Sequence, residues 1–222
     1  MKKVTKLAAL FMTAALVLSF TGCNQNVDSQ SGNPEPVADT TVWAAQPEDS
    51  RSCGAYSMAY YLAKTGQINP SAIQAKADEF YTQIQFTDEE LGEDYVSFSG
   101  YSNPVKILQK IVPQYAKSAK LKMLATPNTE AEQLLSQLAT GMGITGIESI
   151  STFESGFGEG ESCIEIVKSG STSLHYLLTY KKGGVLFTRD PDDGKEYKRS
   201  EIQTSKSEYQ FCNGGVFVTA KD

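Results

Sequence analysis

The apolar residues of this chain change period once, and that change limits what it can fold into. From residue 53 to about residue 140 they recur at helical spacing, and beyond residue 160 they alternate or run together as in strands. Ala55, Met58, Ala59, Leu62 and Ala63 make one face of a helix that starts at Cys53 and stops at Gly66. Asn69-Pro70 is an N-cap and first-turn pair for a second helix carrying Ile73, Ala77, Phe80 and Ile84. Asn103-Pro104 opens a third, with Val105, Leu108, Ile111 and Val112 before Pro113 ends it, and Thr129 to Thr140 makes a fourth, with Leu134, Leu135 and Leu138 inward and Gly141 at its stop. Strand signals follow at Ile164 and Ile166, Leu174 to Tyr180, Val185 to Thr188 after a Gly183-Gly184 turn, and Gly215 to Thr219. Helices first and strands afterwards predict an α+β domain, the N-terminal helices packed on a C-terminal antiparallel sheet. Ser151 to Gly160, with three glycines, is expected to be a mobile loop between the halves.

The N-terminus stands apart from that domain. Lys2, Lys3 and Lys6 form a basic segment, Leu7 to Phe20 is an apolar run too short to span a membrane, and Thr21-Gly22 places small residues before Cys23. Residues 1–22 therefore predict an export signal. Phe20-Thr21-Gly22-Cys23 looks like a bacterial lipobox, which implies that Cys23 becomes a lipidated N-terminus on the extracytoplasmic face of a cell membrane. Residues 23–40 hold little sizeable apolar surface to offset their ordering entropy and predict a flexible tether, leaving residues 41–222 as one domain.

Taking Lys2, Lys3 and Lys6 away with the signal lowers the basic count from 20 to 17 against 26 acidic residues, so the net charge goes from −6 to −9. An acidic chain without a basic block is a poor nucleic-acid binder. One histidine and four scattered cysteines match no zinc spacing, and no metal or cofactor is expected.

The candidate chemistry rests on Cys53 and His175. Cys53 opens its helix, where unpaired N–H groups and the positive end of the macrodipole favour a thiolate. His175, the only histidine, lies about 120 residues downstream at the mouth of the apolar strand, where a rigid sheet could hold its ring against the thiol. Gly54 is expected to let a substrate backbone approach. Asp190, in Arg189-Asp190-Pro191 at the end of the next strand, is the candidate to orient the imidazole, ahead of Asp192 and of Asp193, whose Asp193-Gly194 pair serves a turn. An oxyanion would be met by the Cys53 backbone N–H and the Gln46 amide. With Cys23 and Cys53 so used, Cys163 and Cys212 are left as a candidate disulfide or as two buried thiols.

Gln46, Cys53-Gly54 opening an Ala- and Met-containing helix, His175 with apolar followers, and a Gly-Gly turn leading to Asp190-Pro191 together resemble the papain-like cysteine peptidases. Within that superfamily they are most similar to the group related to double-glycine leader peptidases. The resemblance implies a papain-like fold and cleavage of peptide or amide bonds, with Cys53 as nucleophile, His175 as general base, Asp190 as orienter and Gln46 as oxyanion donor. Gln46 lies seven residues before Cys53 where the group commonly has six, and Ser52 stands where Asp is common. Transporter regions are absent from the chain, so a bacteriocin leader is not implied as substrate. Phytochelatin-synthase-like transpeptidation shares the Gln-to-Cys-Gly arrangement. A non-catalytic lipoprotein that binds a ligand or partner fits the signal, tether and acidic surface equally well.

Overall fold

A computed structural model describes residues 36–91, 99–141, 144–170 and 173–221. The predicted signal, Cys23 and most of the predicted tether lie outside them. Among the described residues no helix is long and apolar enough to cross a membrane.

Helix α1, Cys53–Lys64, is buried from Cys53 to Leu62. It ends at Thr65, and Gly66 turns the chain away at φ 72°. Asn69 caps a 3₁₀ turn, Pro70–Ala72, by accepting from the Ser71 N–H, and helix α2, Ile73–Ile84, follows. Its buried face is Ile73, Ala77, Phe80 and Ile84, as the spacing requires, and it packs on α1.

The third helical segment differs from expectation. Asn103 caps α3, Pro104–Lys106, but the chain does not stop at Pro113. It widens into a π-helical turn, Ile107–Ile111, and Pro113 then sits in the first turn of α4, Val112–Tyr115, where its missing N–H is no loss. Helix α5, Glu130–Gly141, is started by a reciprocal capping box: Glu132 N–H donates to Thr129 Oγ1 at 3.2 Å, and Thr129 N–H to Glu132 Oε2 at 3.0 Å.

Seven strands make one sheet: β1 (Ala116–Leu124), β2 (Glu148–Ile150), β3 (Glu161–Ser169), β4 (Ser173–Lys182), β5 (Val185–Arg189), β6 (Glu196–Lys198) and β7 (Tyr209–Ala220), in the order β2-β1-β7-β3-β4-β5-β6. A short helix, α6 (Ile202–Ser205), precedes β7. The sheet is mixed, not purely antiparallel: β1 and β2 run parallel, with Lys122 opposite Glu148. Strand β1 also precedes α5, so helices and strands interleave at that point. Gly183 and Gly184, at φ 57° and 82°, join β4 to β5 in a two-residue hairpin, a geometry that follows the twist of the strands.

Alternate residues of β4 serve two layers. Leu174, Tyr176, Leu178 and Tyr180 join the main core under the helices, while Leu177 joins Val167, Ile202 and Tyr209 in a separate cluster. A third cluster forms from Ile150, Phe153, Phe157, Cys163 and Phe217. Phe153 and Phe157 fix the segment expected to be a loose loop, packing edge-on to Phe217 with ring centroids 5.8 Å and 4.9 Å away.

The predicted tether does not run free as far as residue 40. Arg189, buried on β5, pairs with Asp39 at 3.1 Å and donates to Thr41 O at 2.6 Å, Lys182 donates to Val37 O at 3.0 Å, and the Asp39 N–H donates to Glu196. Residues 37–41 are therefore a strap on the domain, because a buried guanidinium needs these acceptors.

Candidate active site

Cys53 is the first residue of α1. The Ser52 side chain makes no cap bond to the helix, and no acidic residue lies in the first turn, so the positive end of the helix dipole acts on the thiol without a competing carboxylate from the helix itself. Ser50 instead holds Ser52, its hydroxyl accepting the Ser52 N–H at 3.1 Å. Gly54 has a role other than the expected one. A Cβ there would lie 2.5 Å from Ser102 Cβ and 2.8 Å from its Oγ, so the missing side chain makes room for Ser102 and not for a substrate.

His175 lies on the part of β4 that β5 does not reach, since their pairing begins at Leu178 opposite Arg189. Asp190 follows directly, falls beside Leu177, and so shares a face with His175 two residues away. Its Oδ1 is 2.8 Å from His175 Nε2, and both side chains are buried. That bond occupies Nε2 and leaves Nδ1 for the thiol. Burial works against a charged imidazole, but the Cys53 and Asp190 groups outweigh it and hold His175 well above its ordinary pKa. Burial likewise raises the Asp190 carboxyl, and the His175 hydrogen bond and charge, the Asp192 N–H and Lys206 more than reverse it, leaving the group below its usual range.

Asp192 is placed differently. It is exposed, its Oδ1 is 3.8 Å from His175 Nδ1, and it accepts the Gln46 Nε2–H at 2.7 Å. Of the three carboxylates considered from sequence, Asp190 makes the hydrogen bond to the ring. Gln46 is drawn to the same turn by its backbone N–H, which donates to Pro191 O at 2.8 Å. One of its amide hydrogens is donated to Asp192, and its Oε1 is buried without a partner. Gln46, Cys53, His175, Asp49, Arg51 and Tyr101 line one open cavity of about 240 Å³. The structure thus brings all four sequence-predicted residues of the candidate chemistry to one place.

Two further residues at this site carried no sequence signal. Tyr209, at the start of β7, has its hydroxyl 3.0 Å from Asp190 Oδ2 and 2.8 Å from Asp192 Oδ2, its one hydrogen shared between them, and its ring lies 5.2 Å from the His175 ring. Lys206 is 3.5 Å from both Asp190 Oδ2 and Asp193 Oδ2. The ligand atoms of His175, Asp190 and Asp192 lie within 4.8 Å of one another, the one such set among the described residues. The same oxygens already accept from Tyr209, Gln46 and the Asp192 N–H, and Lys206 adds positive charge, so a cation would have to displace these donors.

Cys163 and Cys212 are not joined; both are free and buried, which removes the candidate disulfide. Cys163 pairs with Phe217, and Cys212 lies five residues from Phe217 along β7, roughly 15 Å at strand spacing. They also belong to different clusters, Cys163 with Phe153 and Phe157, Cys212 with the core under the helices. Burial pushes the Cys163 thiol well up and the Cys212 thiol to about 12, which makes both unreactive.

No family model, no curated protein and no solved structure matches this chain.

Proposed function

We propose that this chain is an exported cysteine hydrolase of papain-like type, held at a membrane by lipid on Cys23, that cleaves peptide or amide bonds of a peptide or protein substrate. The observation that carries this reading is the buried hydrogen bond between His175 Nε2 and Asp190 Oδ1 beside Cys53 at an uncapped helix start. Pairing of this kind fixes one tautomer of the ring and turns the other nitrogen to the thiol.

In the reaction, the Cys53 thiolate attacks the substrate carbonyl carbon. The Cys53 N–H and the free Gln46 amide hydrogen receive the developing oxyanion, and a donor of this kind is worth roughly 10²–10³ in rate. His175 gives its Nδ1 proton to the leaving amine as the C–N bond breaks, leaving a thioester on Cys53. Water then loses a proton to His175 and attacks the thioester, which releases the acid and restores the thiolate. Asp190 stays ionised throughout and holds the ring.

The test is turnover on a peptide library. Cys53→Ala and His175→Ala should each lower it by about 10³-fold or more, as members of a nucleophile and base pair do. Normal turnover by Cys53→Ala would leave a binding domain as the better account. For the anchor, a fatty-acid probe should label the wild type and not Cys23→Ser; an unlabelled wild type would reduce this part of the proposal to simple secretion.

A further inference from the structure

The proposed reaction leaves Tyr209 without a part, yet its hydroxyl is shared by two carboxylates with separate tasks. Asp190 holds the His175 ring, and Asp192 holds the Gln46 amide. The hydroxyl lies 3.0 Å from Asp190 Oδ2 and 2.8 Å from Asp192 Oδ2, so its single hydrogen is shared between the two carboxylates and links the line Gln46–Asp192–Tyr209–Asp190–His175. Without that shared donor the buried Asp190 and the exposed Asp192 carboxylates would meet with Lys206, 3.5 Å from Asp190 Oδ2, as the compensating charge, and like charges this close repel. Tyr209 is well placed to be the fixed point: it is buried, its own backbone N–H donates to Lys206 O at 3.1 Å, and its carbonyl accepts from Gln203 at 2.7 Å.

We infer that Tyr209 is a positioning residue that couples the oxyanion donor to the thiol–imidazole pair, holding Gln46 through Asp192 and His175 through Asp190. This rests on the hydrolase reading and adds to it a residue that touches neither substrate nor thiol. Its two arms can be read separately. Alkylation of Cys53 by iodoacetamide depends on the thiol and His175 but forms no oxyanion. Acylation by p-nitrophenyl acetate, read as the burst of p-nitrophenolate when the thiolate displaces it, depends on both.

Tyr209→Phe keeps the ring and removes the hydroxyl. It should slow both the alkylation mapped to Cys53 and the burst, by about tenfold, the loss expected for one hydrogen bond to a charged group. Gln46→Ala should slow the burst more than the alkylation. In Tyr209→Phe/Gln46→Ala the burst should fall by less than the product of the single losses, because part of the tyrosine's effect passes through Gln46. Should Tyr209→Phe melt below the assay temperature, Asp192→Ala, at an exposed position, removes both the acceptor for Gln46 and the partner of Tyr209 and must lower the burst. Wild-type alkylation in Tyr209→Phe, strictly multiplicative losses in the double variant, or a wild-type burst in Asp192→Ala would each overturn the inference. An inert Cys53 in the wild type would instead overturn the hydrolase reading itself.

Discussion

Gly54→Ala tests how the site is built without touching any group that does chemistry. The added Cβ would sit 2.5 Å from Ser102 Cβ and 3.4 Å from Ile107 Cδ1, whereas carbons in contact need about 3.5–4.0 Å. Ser102 Cβ cannot swing aside, because it is fixed to a backbone that bridges to Gln85 and whose carbonyl accepts from Tyr176 at 2.6 Å. The tip of α1 must therefore move by roughly 1 Å, and overpacking of this kind costs ~1–3 kcal/mol. Alanine's better helix propensity returns about 1 kcal/mol, so the net loss is about 0–2 kcal/mol and the melting temperature should fall by up to about 6 °C. The effect on reactivity should be larger than the effect on stability. Cys53 is the neighbouring residue, and a displacement of about 1 Å can cost up to ~10²-fold in a positioned reaction. The assay is thermal unfolding beside the rate of Cys53 alkylation in the folded protein. Ser102→Gly removes the atoms that are struck, including an Oγ that has no hydrogen-bond partner, and in combination with Gly54→Ala should restore much of both losses. A Gly54→Ala protein with wild-type melting and alkylation, or a double variant with no recovery, would rule out a clash between residues 54 and 102.

Asp190→Asn should preserve the fold and lower turnover modestly, while Asp190→Ala should lower it further and also destabilise by about 3 kcal/mol in urea unfolding, since it strands His175 and Lys206 beside a vacated buried site. The pH dependence has two limbs. Asp190 is held below its unfolded value of 3.8, so its contribution is present above that pH and lost as pH falls through the lower folded value; His175 is raised above 6.5, so its contribution is present below that pH and lost as pH rises through the folded value. Melting curves of Asp190→Asn should therefore change less with pH than the wild type on both sides, and parallel curves would count against the pair. Cys163 and Cys212 should be recovered as unmodified thiols only after denaturation, with no change of melting temperature on adding a reductant; a reductant-sensitive melting temperature would point to a bridge.

Much of the helical part was legible because its signals are local. The Asn69-Pro70 cap and the spacing of Ile73, Ala77, Phe80 and Ile84 describe α2 without tertiary information. The Gly183-Gly184 turn did the same for the β4–β5 hairpin, and that register places Asp190 beside His175. Strand β1 was missed although Ala119, Leu121 and Met123 alternate with Lys120, Lys122 and Leu124, because lysine usually marks a solvent face. Here Lys122 is buried, donating to Gly156 O at 2.6 Å and Glu161 at 3.0 Å. Strands β2 and β6, of three residues each, are too short to show a period. Pro113 misled because a proline stops a helix only where no wider turn accommodates it, and the π-helical turn before it does so. Tyr209 is one of eleven tyrosines, and nothing in the sequence near it marks the two carboxylates it bonds. Its role depends on β7 passing the turn at 190–194, a contact between segments far apart in the chain.

If His175 makes Cys53 a nucleophile, as proposed, alkylation of Cys53 against pH will show it, mapped by mass spectrometry in the folded wild type and in His175→Ala. Modification of the wild type should be at least about tenfold faster than that of His175→Ala at neutral pH, because a neighbouring imidazolium favours the thiolate. Identical profiles for the two proteins, or a Cys53 that stays unmodified until the protein unfolds, would contradict it.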